Sequence, residues 1–193
     1  MFPWVSFLTY VVITAITPGP NNIMSMSCGT HNGFWKALPF NLGIWVGFSV
    51  VAGLCAVFCA VLTDSIPKLV LPMKLLGALY LLYLAWGTFR SGGDLDTQNR
   101  HDGFLAGILL QFINPKIYLY CIMSMEAFIL PHFAGNQIIL LAFSLLLAFI
   151  GFCATLCWSA FGAAFQKLLE SHSKKVNSIL ALLLVYCAVS LFL

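Results

Sequence analysis

Lys116 follows Asn114 and Pro115 in the middle of one apolar run, and Thr17-Pro18-Gly19-Pro20-Asn21-Asn22 interrupts another. An ammonium at bilayer depth costs about 2.5–3.5 kcal/mol on insertion scales, so Lys116 should face a cavity or a partner. In a cavity it would attract a carboxylate. Freed carbonyls of the opposing interruption are the alternative partner, and both readings can hold in different states of one molecule. Asn21, Asn22 and Asn114 donate and accept hydrogen bonds without carrying charge, which suits a cavity that holds a zwitterion and then releases it. Capping of interrupted helices accounts for the same three residues. Gln111, Tyr118 and Tyr120 flank Lys116 and are further candidates to line the path, although tyrosine in a membrane helix also serves packing. Glu126, about 15 Å further along, is either an acceptor for an ammonium or a proton, or a solvated helix end near His132. Asp64 reads as a boundary residue.

The two interruptions should break their helices. Proline removes a backbone donor and clashes with the preceding turn, and glycine adds backbone freedom. In lipid each unpaired backbone group costs several kcal/mol, so a break persists only where protein covers it or a polar cavity meets it. Paired broken helices near the midplane are how secondary transporters build a binding site.

The elements that hold these residues are expected to be membrane helices. Of 193 residues, 61% are hydrophobic and 8% charged, with a mean hydropathy of +0.98. A soluble domain carries roughly 25% charged residues, so an all-α integral membrane protein is predicted. The first apolar segment lacks a basic leader and a small-residue cleavage site, and is expected to stay in the mature protein. The net charge of +3 is scattered over short links, and no nucleic-acid footprint is visible.

Apolar runs at about 5–27, 37–62, 69–89, 104–130, 136–165 and 177–193 can each cross a hydrocarbon core of about 30 Å, the last being the shortest. Six spans are predicted. Lys36, Arg90, Arg100, Lys167, Lys174 and Lys175 fall in the odd links and Lys68 and Lys74 in the second. The positive-inside rule then makes the odd links cytoplasmic and puts both termini outside.

One transmembrane domain over 1–193 is expected, with a first repeat at about 1–92, a cytoplasmic link at about 90–103 and a second repeat at about 104–193. Phe7-Leu8 recurs as Phe104-Leu105 and Ile16-Thr17-Pro18 as Ile113-Asn114-Pro115 at one constant offset. Three helices per half would make the repeat inverted, with helices 1 and 4 broken about 18 Å deep.

Other patterns carry less chemistry. The seven cysteines lie in or beside apolar helices, where packing is the expected role. Cys55 with Cys59 and Cys153 with Cys157 share helix faces, but no histidine or carboxylate accompanies them, so neither metal nor cofactor is assigned. Ser49, Ser144 and Ser159 have no intramembrane histidine nearby and no HExxH pattern exists, which argues against an enzyme. Gly43 and Gly47 predict a close helix contact, favoured within the chain over across a dimer, and Gly151 holds the matching place in the second half. Trp4, Trp35 and Trp158 read as interface anchors or packing. No oligomeric state is assigned.

The Pro18-Gly19-Pro20-Asn21 motif, its Asn114-Pro115-Lys116 echo and the polar link between two halves resemble the LysE/RhtB family of amino-acid exporters over the whole chain. Residues 13–23 and 180–189 are similar to its cysteine/O-acetylserine exporter branch. The resemblance implies proton-driven export of a small neutral amino acid across the inner membrane of a bacterium. It implies Pro18, Gly19, Pro20, Asn21, Asn114, Pro115 and Lys116 as the core motif; Asn22 and Gln111 complete the candidate substrate-binding set. Related members handle threonine, homoserine, leucine or lysine, so export of homoserine or threonine is the nearest alternative, and a gated small-solute channel is the alternative of another class.

Overall fold

The protein is described by a computed structural model covering residues 1–90, 103–133, 135–165, 173–190 and 192, without the side chains of 58–71, 73–74, 88, 90, 173, 176–177 and 190. The expected polar link after Arg90 and the position of Lys167 lie outside the described residues, as do the side chains of Asp64, Lys68 and Lys74.

Apolar periodicity yields helices and no strand among the described residues. The elements are α1 Trp4–Ile16, α2 Pro20–Asn32, α3 Phe34–Arg90, α4 Phe104–Ile113, α5 Pro115–Ser124, a π-helical turn Met125–Ile129, α6 Leu130–Phe133, α7 Gln137–Ala164 and α8 Ser173–Ser190. By length and apolarity, Phe34–Val57 and Gln137–Ala164 qualify to cross a membrane, and α4 with Pro115–Phe133, bent by 66° at the break, makes a third. Trp4–Ile16, Leu75–Gly87 and Ser178–Val189 are apolar but shorter. Exposed large side chains such as Ile13, Leu79, Trp86, Leu105, Leu109 and Leu182 cover the outside. That much exposed hydrocarbon suits a lipid-facing surface.

α3 contains 57 residues; straight, it would extend about 85 Å. It does not run straight, because Gly47 packs on Gln111 and Ile108 while Gly77 packs on Ile113 and Pro115. Positions about 45 Å apart on a straight helix thus meet neighbouring turns of the same segment. α3 therefore doubles back between them.

The first link differs from the expectation. α2 continues to Asn32, and only Gly33 separates it from α3. Gly33 has φ 76°, a left-handed conformation that glycine adopts without a Cβ penalty. The turn is therefore made in one residue, and Lys36 lies in the first turn of α3 rather than in a link.

Close backbone approaches set the packing. A Cβ on Gly43 would fall 2.0 Å from the Phe104 carbonyl oxygen, and one on Gly107 would fall 2.2 Å from that of Phe40. The glycine contact is therefore within the chain, between α3 and α4. Gly29 on the Ser159 backbone and Gly162 on the Met26 carbonyl draw α2 against α7 in the same way. Around these contacts lie two apolar clusters. One holds Phe7, Val11, Phe48, Cys121, Met125 and Leu147, and the other Ile23, Phe40, Ile44, Leu81, Leu110 and Leu184.

Candidate functional site

The first break is fully accounted for by its own chemistry. α1 ends at Ile16, Thr17 leaves helical geometry with ψ 144°, and α2 restarts at Pro20, whose missing N–H would be unpaired in a first turn anyway. The carbonyls left without helical partners must find donors. Asn22 Nδ2 donates to the carbonyls of Ala15 and Thr17, both at 2.8 Å. Trp158 Nε1, from α7, donates to Ile16 at 3.1 Å.

The second break repeats the device. Asn114, with φ −90° and ψ 100°, caps α5, and its Oδ1 accepts the Lys116 amide at 3.1 Å. Pro115 again occupies the first helical position. The Tyr118 hydroxyl donates to the Phe112 carbonyl at 3.2 Å.

Three buried amides join the breaks. Asn21 Nδ2 donates to Gln111 Oε1 at 2.8 Å, and Asn21 Oδ1 accepts from Gln111 Nε2 at 3.2 Å and from Asn114 Nδ2 at 3.0 Å. Gln111 Nε2 also reaches the Gly107 carbonyl at 3.0 Å. Asn114 therefore caps a helix, one of the two readings made from sequence, and through Asn21 it also helps hold the breaks together.

Lys116 crosses from one break to the other. Its ammonium donates to the Thr17 carbonyl at 3.1 Å and to Thr17 Oγ1 at 3.0 Å. In this state its partner is the freed carbonyl of the opposing break, the second of the two options read from the sequence.

Beside this contact lies a small cavity of about 30 Å³, room for a water molecule or two. One side is polar, formed by Gly19, Pro20, Asn21, Asn22, Asn114 and Lys116. Here the N-terminus of α2 faces the space. Its first intrahelical bond runs from the Ile23 amide to the Gly19 carbonyl, so the amides of Asn21 and Asn22 have no helical partner and add partial positive charge next to the ammonium. The other side includes Phe48, Ile117, Tyr120, Gly151 and Thr155. A lining with one cation, two free amides and no carboxylate is suited to an anion carried on a small, partly apolar molecule.

Six of the nine residues singled out from sequence line this cavity. Gln111 and Pro115 are buried outside the lining, and Pro18 is exposed on the break. Tyr120 lines the cavity, whereas Glu126 is an exposed residue of the π-helical turn. Sequence reasoning missed Thr14, Thr17, Phe48, Thr155 and the capping role of Trp158. The one local signal was the small and hydroxyl-bearing stripe Gly151, Thr155, Ser159 and Gly162 on a single face of α7, at the spacing of close helix contacts.

Residues 12–193 match the family described as LysE type translocator. The cysteine/O-acetylserine efflux protein of Salmonella typhimurium is 41% identical over 189 residues, covering 97% of this chain and 96% of its own length. The protein of that name from Klebsiella pneumoniae is 40% identical over 185 residues, with 95% and 94% covered. That from Escherichia coli is 39% identical over 188 residues, with 97% and 96% covered. No solved structure matches the chain.

Proposed function

Because the chain belongs to the LysE type translocator family, we propose that it exports small neutral amino acids, cysteine and O-acetylserine among them, from the bacterial cytoplasm, driven by the proton gradient. The family moves its solutes rather than converting them, so no catalytic residue is assigned. In this reading the protein lies in the inner membrane as six spans in two inverted halves, with both termini outside. The doubled-back α3 and the paired breaks support that arrangement.

The observation that carries the reading is the position of the Lys116 ammonium, on Thr17 of the opposite break and at the edge of the cavity. The α-carboxylate of an entering amino acid takes the ammonium from Thr17 and settles against the α2 amides. Charge-assisted bonds are roughly twice as strong as neutral ones, so a carboxylate competes well against a carbonyl and a hydroxyl. Releasing Thr17 frees the two breaks to move relative to each other, and the cavity changes the side to which it opens. Gly19, Pro20, Asn21, Asn22 and Asn114 form the binding surface; Gln111 holds Asn21, and Pro18 and Pro115 shape the breaks.

The test is efflux from proteoliposomes loaded with a panel of labelled amino acids, with and without an imposed proton gradient. Efflux of small neutral amino acids that accelerates under the gradient and proceeds against a substrate gradient is expected. Movement only down the substrate gradient, insensitive to protons, would indicate a channel and contradict the reading.

A further inference from the structure

Tyr120 packs in the apolar cluster with 4% of its surface exposed, yet its hydroxyl is buried without a hydrogen-bond partner. Phenylalanine would fill the same space without stranding a polar group, so the hydroxyl calls for an explanation. Its surroundings offer one. Tyr120 lines the cavity, and it lies one helical turn beyond Lys116 on the same face of α5, about 5–6 Å away between Cβ atoms.

The ring of Tyr120 packs against a close aromatic neighbour. Phe48 meets Tyr120 edge to face with ring centroids 5.7 Å apart, and it rests on Gly151, where a Cβ would fall 2.5 Å from Phe48 Cε1. Little room remains for a long side chain.

We propose that Tyr120 is the specificity-determining residue of the cavity, its hydroxyl hydrogen-bonding a polar atom on the short side chain of an amino acid whose carboxylate is held by Lys116 and the N-terminus of α2. The assignment rests on the exporter reading above and adds the substrate class: side chains of one or two heavy atoms beyond Cβ, or a compact ester, that carry a thiol, hydroxyl or carbonyl. A buried hydroxyl left unpaired by an apolar isostere discriminates against that isostere, whereas a purely apolar wall discriminates weakly.

The experiment compares efflux of cysteine and of α-aminobutyrate, which replaces the thiol by a methyl group, from proteoliposomes holding the wild-type protein or Tyr120→Phe. Wild-type protein is expected to prefer cysteine by about tenfold, and Tyr120→Phe to bring the two rates together by slowing cysteine while leaving α-aminobutyrate unchanged or faster. Equal loss of both rates in Tyr120→Phe would assign the tyrosine to packing and overturn the proposal. Equal wild-type rates would overturn it too while leaving the exporter reading intact. Efflux of neither compound by the wild-type protein would remove the exporter reading and this assignment with it.

Discussion

Lys116 and Thr17 face each other across two helix breaks, the ammonium 3.0 Å from the threonine hydroxyl and 3.1 Å from its carbonyl. Each break supplies what the other lacks. The first exposes carbonyls and an unpaired helix N-terminus; the second carries the cation. A break that served packing alone would not need a charge in an apolar helix, since caps such as Asn22 and Trp158 already satisfy the freed carbonyls.

Gly19 tests how closely the breaks are fitted. Its backbone is extended, a conformation open to any residue, but a Cβ there would stand 3.0 Å from Lys116 Nζ and 3.1 Å from its Cδ. Gly19→Ala should fold normally, because a flexible side chain can yield, and should displace the ammonium from Thr17. Efflux is expected to fall by about fivefold to tenfold with unchanged thermal stability in detergent, since a misplaced charge-assisted bond is worth about 1.5–3 kcal/mol at full strength.

The amide cluster predicts coupled stability. Asn21→Leu leaves buried polar groups of Gln111 and Asn114 short of partners, at about 1–3 kcal/mol each, and Gln111→Leu does the same to Asn21. Thermal or denaturant unfolding of both single variants and the double variant should show the double losing clearly less than the sum, with a coupling of about 1–2 kcal/mol. Strict additivity would mean that the amides do not act as a unit.

Glycine contacts predict a contrast between positions. Gly107→Ala drives a methyl into the Phe40 carbonyl, 2.2 Å from the ideal Cβ, whereas Gly53→Ala finds its nearest neighbour, Leu141 Cδ2, at 4.0 Å. The first should cost about 1–3 kcal/mol, as overpacking does, and lower the yield of folded protein. The second should be neutral by the same unfolding measurement.

Both breaks were legible in the sequence because proline coincides there with glycine or asparagine, as Pro18-Gly19-Pro20-Asn21 and as Asn114-Pro115; proline alone is no break, since Pro39 lies inside α3. Lys116 was legible because a charge in an apolar run must be explained. Gly43 and Gly47 announced a close contact by their spacing, though not that Gly107 would meet Gly43 and that Ile108 and Gln111 would meet Gly47. The rest depends on tertiary placement. Phe48 comes to the cavity from α3 with no local mark of that role, since an apolar residue in a membrane helix looks the same whether it faces lipid, core or cavity, and the stripe that includes Thr155 marks a close contact of α7 rather than a cavity. Trp158 read only as an interface anchor or packing because its acceptor, the Ile16 carbonyl, is free only once α1 is broken. The first link, with Lys36 in it, was expected between the apolar runs at about 5–27 and 37–62, whereas the helix continues, buried against α7, to Asn32.

The most direct measurement is efflux of cysteine by wild-type protein and Lys116→Met side by side in proteoliposomes, with equal amounts of inserted, folded protein. If the ammonium receives the substrate carboxylate, Lys116→Met loses transport by at least about tenfold although the amide cluster and both breaks persist. A folded Lys116→Met protein that exports cysteine at the wild-type rate would contradict the account.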